Sequence, residues 1–92
     1  MRYAARVHTI QPACVDIWRR HGKKWIPTHR QGDGVPDGFL LHRGLWLCVE
    51  VKTGNAKLKP KQKVLHEEVT AKGGKIWVIR STDEALALIG AK

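Results

Sequence analysis

Asp37, Glu50 and Lys52 are two acids and an amine in mid-chain whose spacing could bring them to one point. They lie within residues 34–52, where two apolar runs, residues 39–41 and 45–51, flank the polar interruption of His42, Arg43 and Gly44. That is how a β-hairpin is written in sequence. With Arg43 and Gly44 as a two-residue turn, His42 faces Leu45, Leu41 faces Trp46 and Asp37 faces Glu50. Directly opposed side chains have Cβ atoms about 4.5–5.5 Å apart, where like charges repel. Lys52 falls on the Glu50 face, roughly 6–7 Å further along the strand. A divalent cation gripped by both carboxylates would relieve the repulsion, and Mg²⁺ is commonly held by one or two carboxylates with water and phosphate.

The plainer reading makes Asp37 a turn residue after Pro36 and leaves Glu50 and Lys52 on a solvated strand face. The neighbours argue against it. Period-two alternation puts Phe39, Leu41, Trp46 and Cys48 on the face of the three charged residues and Leu40, Leu45, Leu47, Val49 and Val51 on the other, so both faces are expected to be covered. Charges in such a setting need a partner or a task.

Around this hairpin stand the elements that must position it. From Gln11 the pattern is helical: Pro12 suits a first turn, Cys14, Val15, Ile17 and Trp18 form a stripe, and Gly22 is a stop. Trp25, Ile26 and Pro27 read as a short strand beside the hairpin. Thr28 to Gly34 reads as a loop whose glycines at 32 and 34 either make the turn or, as favoured here, let backbone approach a ligand. Thr53, Gly54, Asn55 and Ala56 form a turn, and a helix starts near Pro60 with Gln62, Leu65, His66 and Val69 along one buried stripe. Gly73 and Gly74 end it, and Lys75 to Arg80, with Ile76, Trp77, Val78 and Ile79 in continuous apolar order, reads as a strand covered on both faces. Ser81 and Glu84 are a capping box for a last helix, so Asp83 and Glu84 are first-turn acids before they are metal ligands. His66 reads as a packed or hydrogen-bonded histidine in preference to a base. The four tryptophans, Trp18, Trp25, Trp46 and Trp77, are expected to build the core.

The chain of 92 residues carries 17 Lys and Arg against 8 Asp and Glu, a formal charge of +9. Such a balance favours a polyanionic partner, nucleic acid or an anionic membrane surface. One domain over 1–92 is expected, near the lower size limit for an unaided core, which a dimer would relieve. No transmembrane run or signal-peptide core is visible, so the expectation is a soluble protein of the cytoplasm. Cys14 and Cys48 lack zinc-site spacing and the five histidines form no His-x-x-x-His pair, which leaves small buried thiols and no zinc. Candidate phosphate contacts are Arg19, Arg20, Lys23 and Lys24 at the end of the first helix, where they equally complement its dipole, and the alternating Lys57, Lys59, Lys61 and Lys63. Arg2, Tyr3 and Arg6 are read as terminal residues in preference to phosphate contacts.

Pro36-Asp37 followed by Glu50-Val51-Lys52 resembles the PD-(D/E)XK nuclease signature, and the wider pattern is similar to its VRR-NUC branch of small phage and bacterial proteins. Gly32-Asp33-Gly34-Val35-Pro36-Asp37, Thr53 after Lys52, Leu58-Lys59-Pro60-Lys61-Gln62 with His66, and residues 76–81 before an acidic pair carry the resemblance. It implies an α/β fold with a restriction-endonuclease-like core, a mixed sheet with an antiparallel hairpin flanked by helices, the strand from Ile76 lying next to the Glu50 strand. It implies a Mg²⁺- or Mn²⁺-dependent nuclease hydrolysing phosphodiester bonds, with Asp37, Glu50 and the Val51 carbonyl on the metal, Lys52 orienting or deprotonating water, and Gln62 placing water or phosphate. In the family an acid on the first helix often completes the site; Gln11 stands there, with Asp16 one turn on, so a ligand, a polar contact or nothing remains open. Branched DNA, in the manner of Holliday-junction resolvases, and a homodimer are the substrate and assembly the resemblance favours. The competing readings are a general nicking or restriction-like nuclease, a basic nucleic-acid-binding module without catalysis, and a regulatory or antitoxin-like protein; host cytoplasm is implied if the chain is phage-encoded.

Overall fold

The computed structural model describes residues 10–28 and 34–91; Arg2, Tyr3, Arg6, Gly32 and Asp33 lie outside them. The elements are α1 (Gln11–Arg20), β1 (Lys24–Pro27), β2 (Gly38–His42), β3 (Leu45–Val51), α2 (Pro60–Ala71), β4 (Ile76–Ile79) and α3 (Thr82–Leu88). The sheet order is β1-β2-β3-β4, antiparallel for the first two pairings and parallel for the last. A parallel neighbour needs a crossover, and α2 provides it.

The hairpin has the expected register, with His42 opposite Leu45 and Leu41 opposite Trp46. Its turn has φ of 53° at Arg43 and 79° at Gly44. Two positive values mark the tight turn whose twist matches a hairpin. β2 and β3 therefore carry their side chains on the faces read from the sequence, a placement that a slip of one residue would invert.

One face of the sheet carries the core, with Leu45 beside the hairpin turn left exposed. Trp25, Leu40, Val49 and Ile79 pack against Cys14, Val15 and Trp18 of α1 and against Ala85 and Ile89. Trp18 lies 5.2 Å from Trp25 between ring centroids and donates its indole N–H to the Ala85 carbonyl at 3.0 Å, which satisfies the polar atom of a fully buried ring. Gly38 lies in β2 opposite Pro27 and Val49; a Cβ there would fall 2.4 Å from the Trp25 ring and 2.6 Å from the Ile26 carbonyl oxygen. The glycine is what allows the indole to cross the strand.

The other face departs from expectation. Gln62, Leu65, His66 and Val69 do form the inward stripe of α2, but each is only half-buried and no residue of this helix is buried. The face carrying Glu50 is thus covered near β4 and open towards β1: Phe39 is 38% and Trp46 51% exposed. Both faces are not covered, and Trp46 does not belong to the core. The reason is width, since one helix about 10 Å across cannot roof four strands spaced about 4.8 Å apart.

Helix ends follow their sequence signals. Gly22 and Gly73 adopt positive φ just beyond α1 and α2. Ser81 Oγ accepts the Glu84 N–H at 3.0 Å, while Glu84 Oε1 accepts from Arg80 N–H at 2.7 Å, one residue earlier than a reciprocal capping box requires. Gly34, at φ 86°, brings backbone against Lys61 of α2, where a Cβ would stand 3.1 Å away. Its close approach is to the helix start.

Candidate active site

Two strand ends and one helix start converge where β2 begins and β3 finishes. Asp37 precedes β2, and its Oδ2 accepts the Val51 N–H at 2.6 Å, extending the β2–β3 ladder by a side chain. Thr28 N–H donates to the Asp37 carbonyl at 2.9 Å, and Thr28 Oγ1 also bonds the Pro36 carbonyl. The loop before β2 is therefore held to the end of β1, and the Asp37 carboxylate is aimed across at β3.

Glu50 is 1% exposed, an unusual state for a carboxylate. Its Oε2 accepts from Gln62 Nε2 at 3.2 Å. The Gln62 amide is oriented by its other end, since Gln62 Oε1 accepts the Lys59 N–H at 2.8 Å. A carbonyl oxygen must face that backbone donor, so the NH₂ group must face Glu50. One side chain thus caps α2 and ties it to the acid of β3. The second oxygen, Glu50 Oε1, has no hydrogen-bond partner, and neither has His66 Nε2, which stands 3.6 Å from it.

Burial pushes the Glu50 carboxyl up to about 7, helped by the negative charge of Asp37 and opposed by the charges of Lys52 and Lys59. Desolvation and like charge are the two causes that favour a neutral acid, and here both act. Lys52 is half-buried beside Glu50. Burial and the Lys52 charge hold His66 below the usual histidine range.

Asp37, Glu50, Lys52 and Gln62 are thus brought together, with Val51 joined through its N–H. The basic residues divide. Lys57, Lys59, Lys61 and Lys63 are exposed around the start of α2, on the border of the site. Arg19, Arg20, Lys23 and Lys24 lie at the hairpin-turn end, where Lys24 pairs with Leu41 of β2. Glu50 is five residues from Leu45 along β3, about 17 Å away. Asp16 pairs with Arg20 at 2.9 Å on the exposed side of α1 and does not join the acids. Gln11 lines an open groove with Pro12, Val15, Asp16, Arg19, Trp25 and Pro27. The start of α1 is nonetheless tied to the end of the β3 segment, since Ile10 N–H donates to Thr53 Oγ1 at 3.2 Å.

Sequence reasoning passed over Arg80. Its guanidinium donates to the carbonyls of Gly54, at 3.0 Å, and Ala56, at 2.6 Å, and so ties the turn after Lys52 to the end of β4. No local pattern announces such a contact across 24 residues or more. His66 had a signal, its spacing of four from Gln62 on one helix face.

A four-stranded mixed sheet with helices on both faces, two acids and a lysine at the β2–β3 boundary, defines a PD-(D/E)XK-like α/β core. A solved structure described as a VRR_NUC domain superposes with a TM-score of 0.68 at 26% identity, covering 87% of this chain and 89% of that one. The fold is that of a VRR-NUC domain. Neither a protein-family model nor a curated protein matches the chain. Among the described residues no set of three or more His, Cys, Asp or Glu side chains is arranged around one ion position, and no helix is long and apolar enough to cross a membrane.

Proposed function

We propose that this chain is a metal-dependent DNA endonuclease, a phosphodiesterase that acts as a two-fold dimer on branched DNA such as four-way junctions. The observation that carries the reading is the meeting of Asp37 and Glu50 from neighbouring strands with Lys52 and Gln62 beside them. Its support from likeness is the fold shared with a VRR_NUC domain, a nuclease domain.

The residues fit a divalent cation. A buried carboxylate oxygen lacks a partner and two acids repel each other, and both conditions are relieved by positive charge between them. Mg²⁺ or Mn²⁺ held by Asp37, Glu50 and the Val51 carbonyl would neutralise charge on the attacked phosphate and lower the pKa of a bound water. Lys52 would orient that water and stabilise charge growing on the phosphoryl oxygens. Gln62 keeps Glu50 facing inward, and Asp37 is kept in place by the Val51 N–H. Lys57, Lys59, Lys61 and Lys63 would track the phosphate backbone towards the site.

The dimer is supported by the open sheet face, where Phe39 and Trp46 leave aromatic surface in water on the Glu50 side. A symmetric pair would present two sites to a symmetric junction. The test is to incubate purified protein with labelled junction, flap, duplex and single-stranded DNA, with and without Mg²⁺ or Mn²⁺. Asp37→Ala, Glu50→Ala and Lys52→Ala are expected to abolish cutting while preserving circular dichroism and DNA binding. Equal cutting of plain duplex would leave a general nicking nuclease. DNA binding with no metal-dependent product would leave a non-catalytic basic module.

A further inference from the structure

The segment joining β3 to α2 is fastened at both ends and, in its middle, by one side chain from a distant part of the chain. At its start the Lys52 N–H donates to the Ile79 carbonyl at 2.9 Å, and Thr53 Oγ1 accepts the Ile10 N–H at 3.2 Å. At its finish the Lys59 N–H donates to Gln62 Oε1 at 2.8 Å. Residues 54–58, between these ties, belong to no helix or strand. There the Ala56 N–H closes a turn onto the Thr53 carbonyl at 3.1 Å, and Arg80 Nη1 donates to the carbonyls of Gly54, at 3.0 Å, and Ala56, at 2.6 Å.

The anchor is itself fixed. Arg80 follows directly on β4, whose last residue holds Lys52, and its own N–H is held by Glu84 Oε1 at 2.7 Å. Among the described residues no carboxylate pairs with the guanidinium, and its bonds go to carbonyl oxygens of the turn. An exposed segment without regular structure opens easily, so these two bonds restrain it. What the turn carries is Lys57, exposed and one residue beyond Ala56. Lys59 is the cap of α2, with Lys61 and Lys63 on the helix itself, so Lys57 is the lysine of the run whose place depends on Arg80.

We propose that Arg80 is a positioning residue for DNA: by tying the turn at Gly54 and Ala56 to the end of β4, it holds the Lys57 ammonium at the border of the site as a fixed contact for a backbone phosphate. The inference rests on the nucleic-acid partner of the reading above and needs neither an ion nor a cleavage step. A restrained lysine has less freedom to lose on binding than a mobile one, so the clamp raises affinity without touching the reacting groups. Lys52 keeps its place without it, because the Ile79 carbonyl holds its backbone. The competing role is a direct one, in which the remaining N–H groups of the same half-buried guanidinium take a phosphate themselves.

Anisotropy measurements of duplex and junction DNA binding in chelator, over a series of salt concentrations, separate the two roles. Each phosphate contact adds about 0.9 to the slope of log affinity against log salt on duplex DNA. Lys57→Met should lower the slope by about 0.9, Arg80→Met by about as much, and the double variant by no more than either alone, because all three remove one and the same contact. A double variant that loses about 1.8 makes Arg80 a phosphate contact in its own right and overturns the positioning role. A slope equal to the parent's in either single variant overturns it as well. Arg80→Gln repeats the cycle should circular dichroism show that Arg80→Met does not fold. In cleavage, Arg80→Met should raise KM in step with Kd and leave kcat within about twofold of the parent, whereas a kcat lower by about tenfold at unchanged KM overturns the assignment. A parent chain with no affinity for DNA overturns it together with the nuclease reading. Binding that passes the cycle but yields no product upholds the role of Arg80 and removes the nuclease alone.

Discussion

Replacing Glu50 by Gln should stabilise the metal-free protein, and by an amount that depends on pH. Glu50 is buried against Asp37, and its carboxyl is raised from 4.5 to about 7. The folded chain therefore holds this proton more tightly than the unfolded chain does. The stability so contributed is full below about 4.5, falls by about 1.4 kcal/mol per pH unit as pH rises, and is lost above about 7. Across the whole window the loss is ~3 kcal/mol, and between pH 5.5 and pH 8 it is ~2 kcal/mol. His42 and His66 act with the opposite sign, because burial lowers both and stability then rises with pH through their range. The difference between Glu50→Gln and the parent removes that background. Urea denaturation in the presence of chelator, followed by tryptophan fluorescence at several pH values, reads it directly. The variant's advantage should grow by ~2 kcal/mol from pH 5.5 to pH 8. An advantage that stays constant, or shrinks with rising pH, would refute the claim that the site is a strained, desolvated pair of acids.

Three further outcomes follow from the geometry. Gly38→Ala places a methyl within 2.4 Å of the Trp25 ring, and overpacking of this kind costs roughly 1–3 kcal/mol, visible as a lower urea midpoint and altered tryptophan emission. Gln62→Leu leaves both the Lys59 N–H and Glu50 Oε2 without their partner; a loss of roughly 1–3 kcal/mol is expected, together with a fall in cleavage rate larger than Ser81→Ala produces. Ser81→Ala removes the cap of α3, far in role from the acids, and should cost about 1 kcal/mol in thermal denaturation while leaving metal-dependent cleavage intact.

Much of the fold was legible because its signals are local. A two-residue turn dictates which residue faces which, so Arg43 and Gly44 alone brought Leu41 opposite Trp46 and set the faces of β2 and β3. Periodicity picked out Gln62, Leu65, His66 and Val69 as the inward side of α2, and the glycines after α1 and α2 ended those helices as read. The meeting of Asp37 with the strand of Glu50 follows from the same register extended by one pair beyond Gly38 and Val49, and motif resemblance pointed to the same residues.

Depth of burial was not legible, because it depends on how far a neighbouring element reaches. Trp46 is as apolar as Trp18, yet one is half in water and the other sealed, since α1 and α3 together roof one sheet face while α2 alone shelters part of the other. Arg80 and its hold on the turn after Lys52 depend on β4 lying beside β3, a contact between segments distant in the chain. The orphaned pair of Glu50 and His66 needs helix and strand positioned to within an ångström. Residue order thus determined the pairing and the identity of the acids, through rules that act over a few residues; only tertiary packing decided which atoms were left without partners, because that is a matter of distance in space.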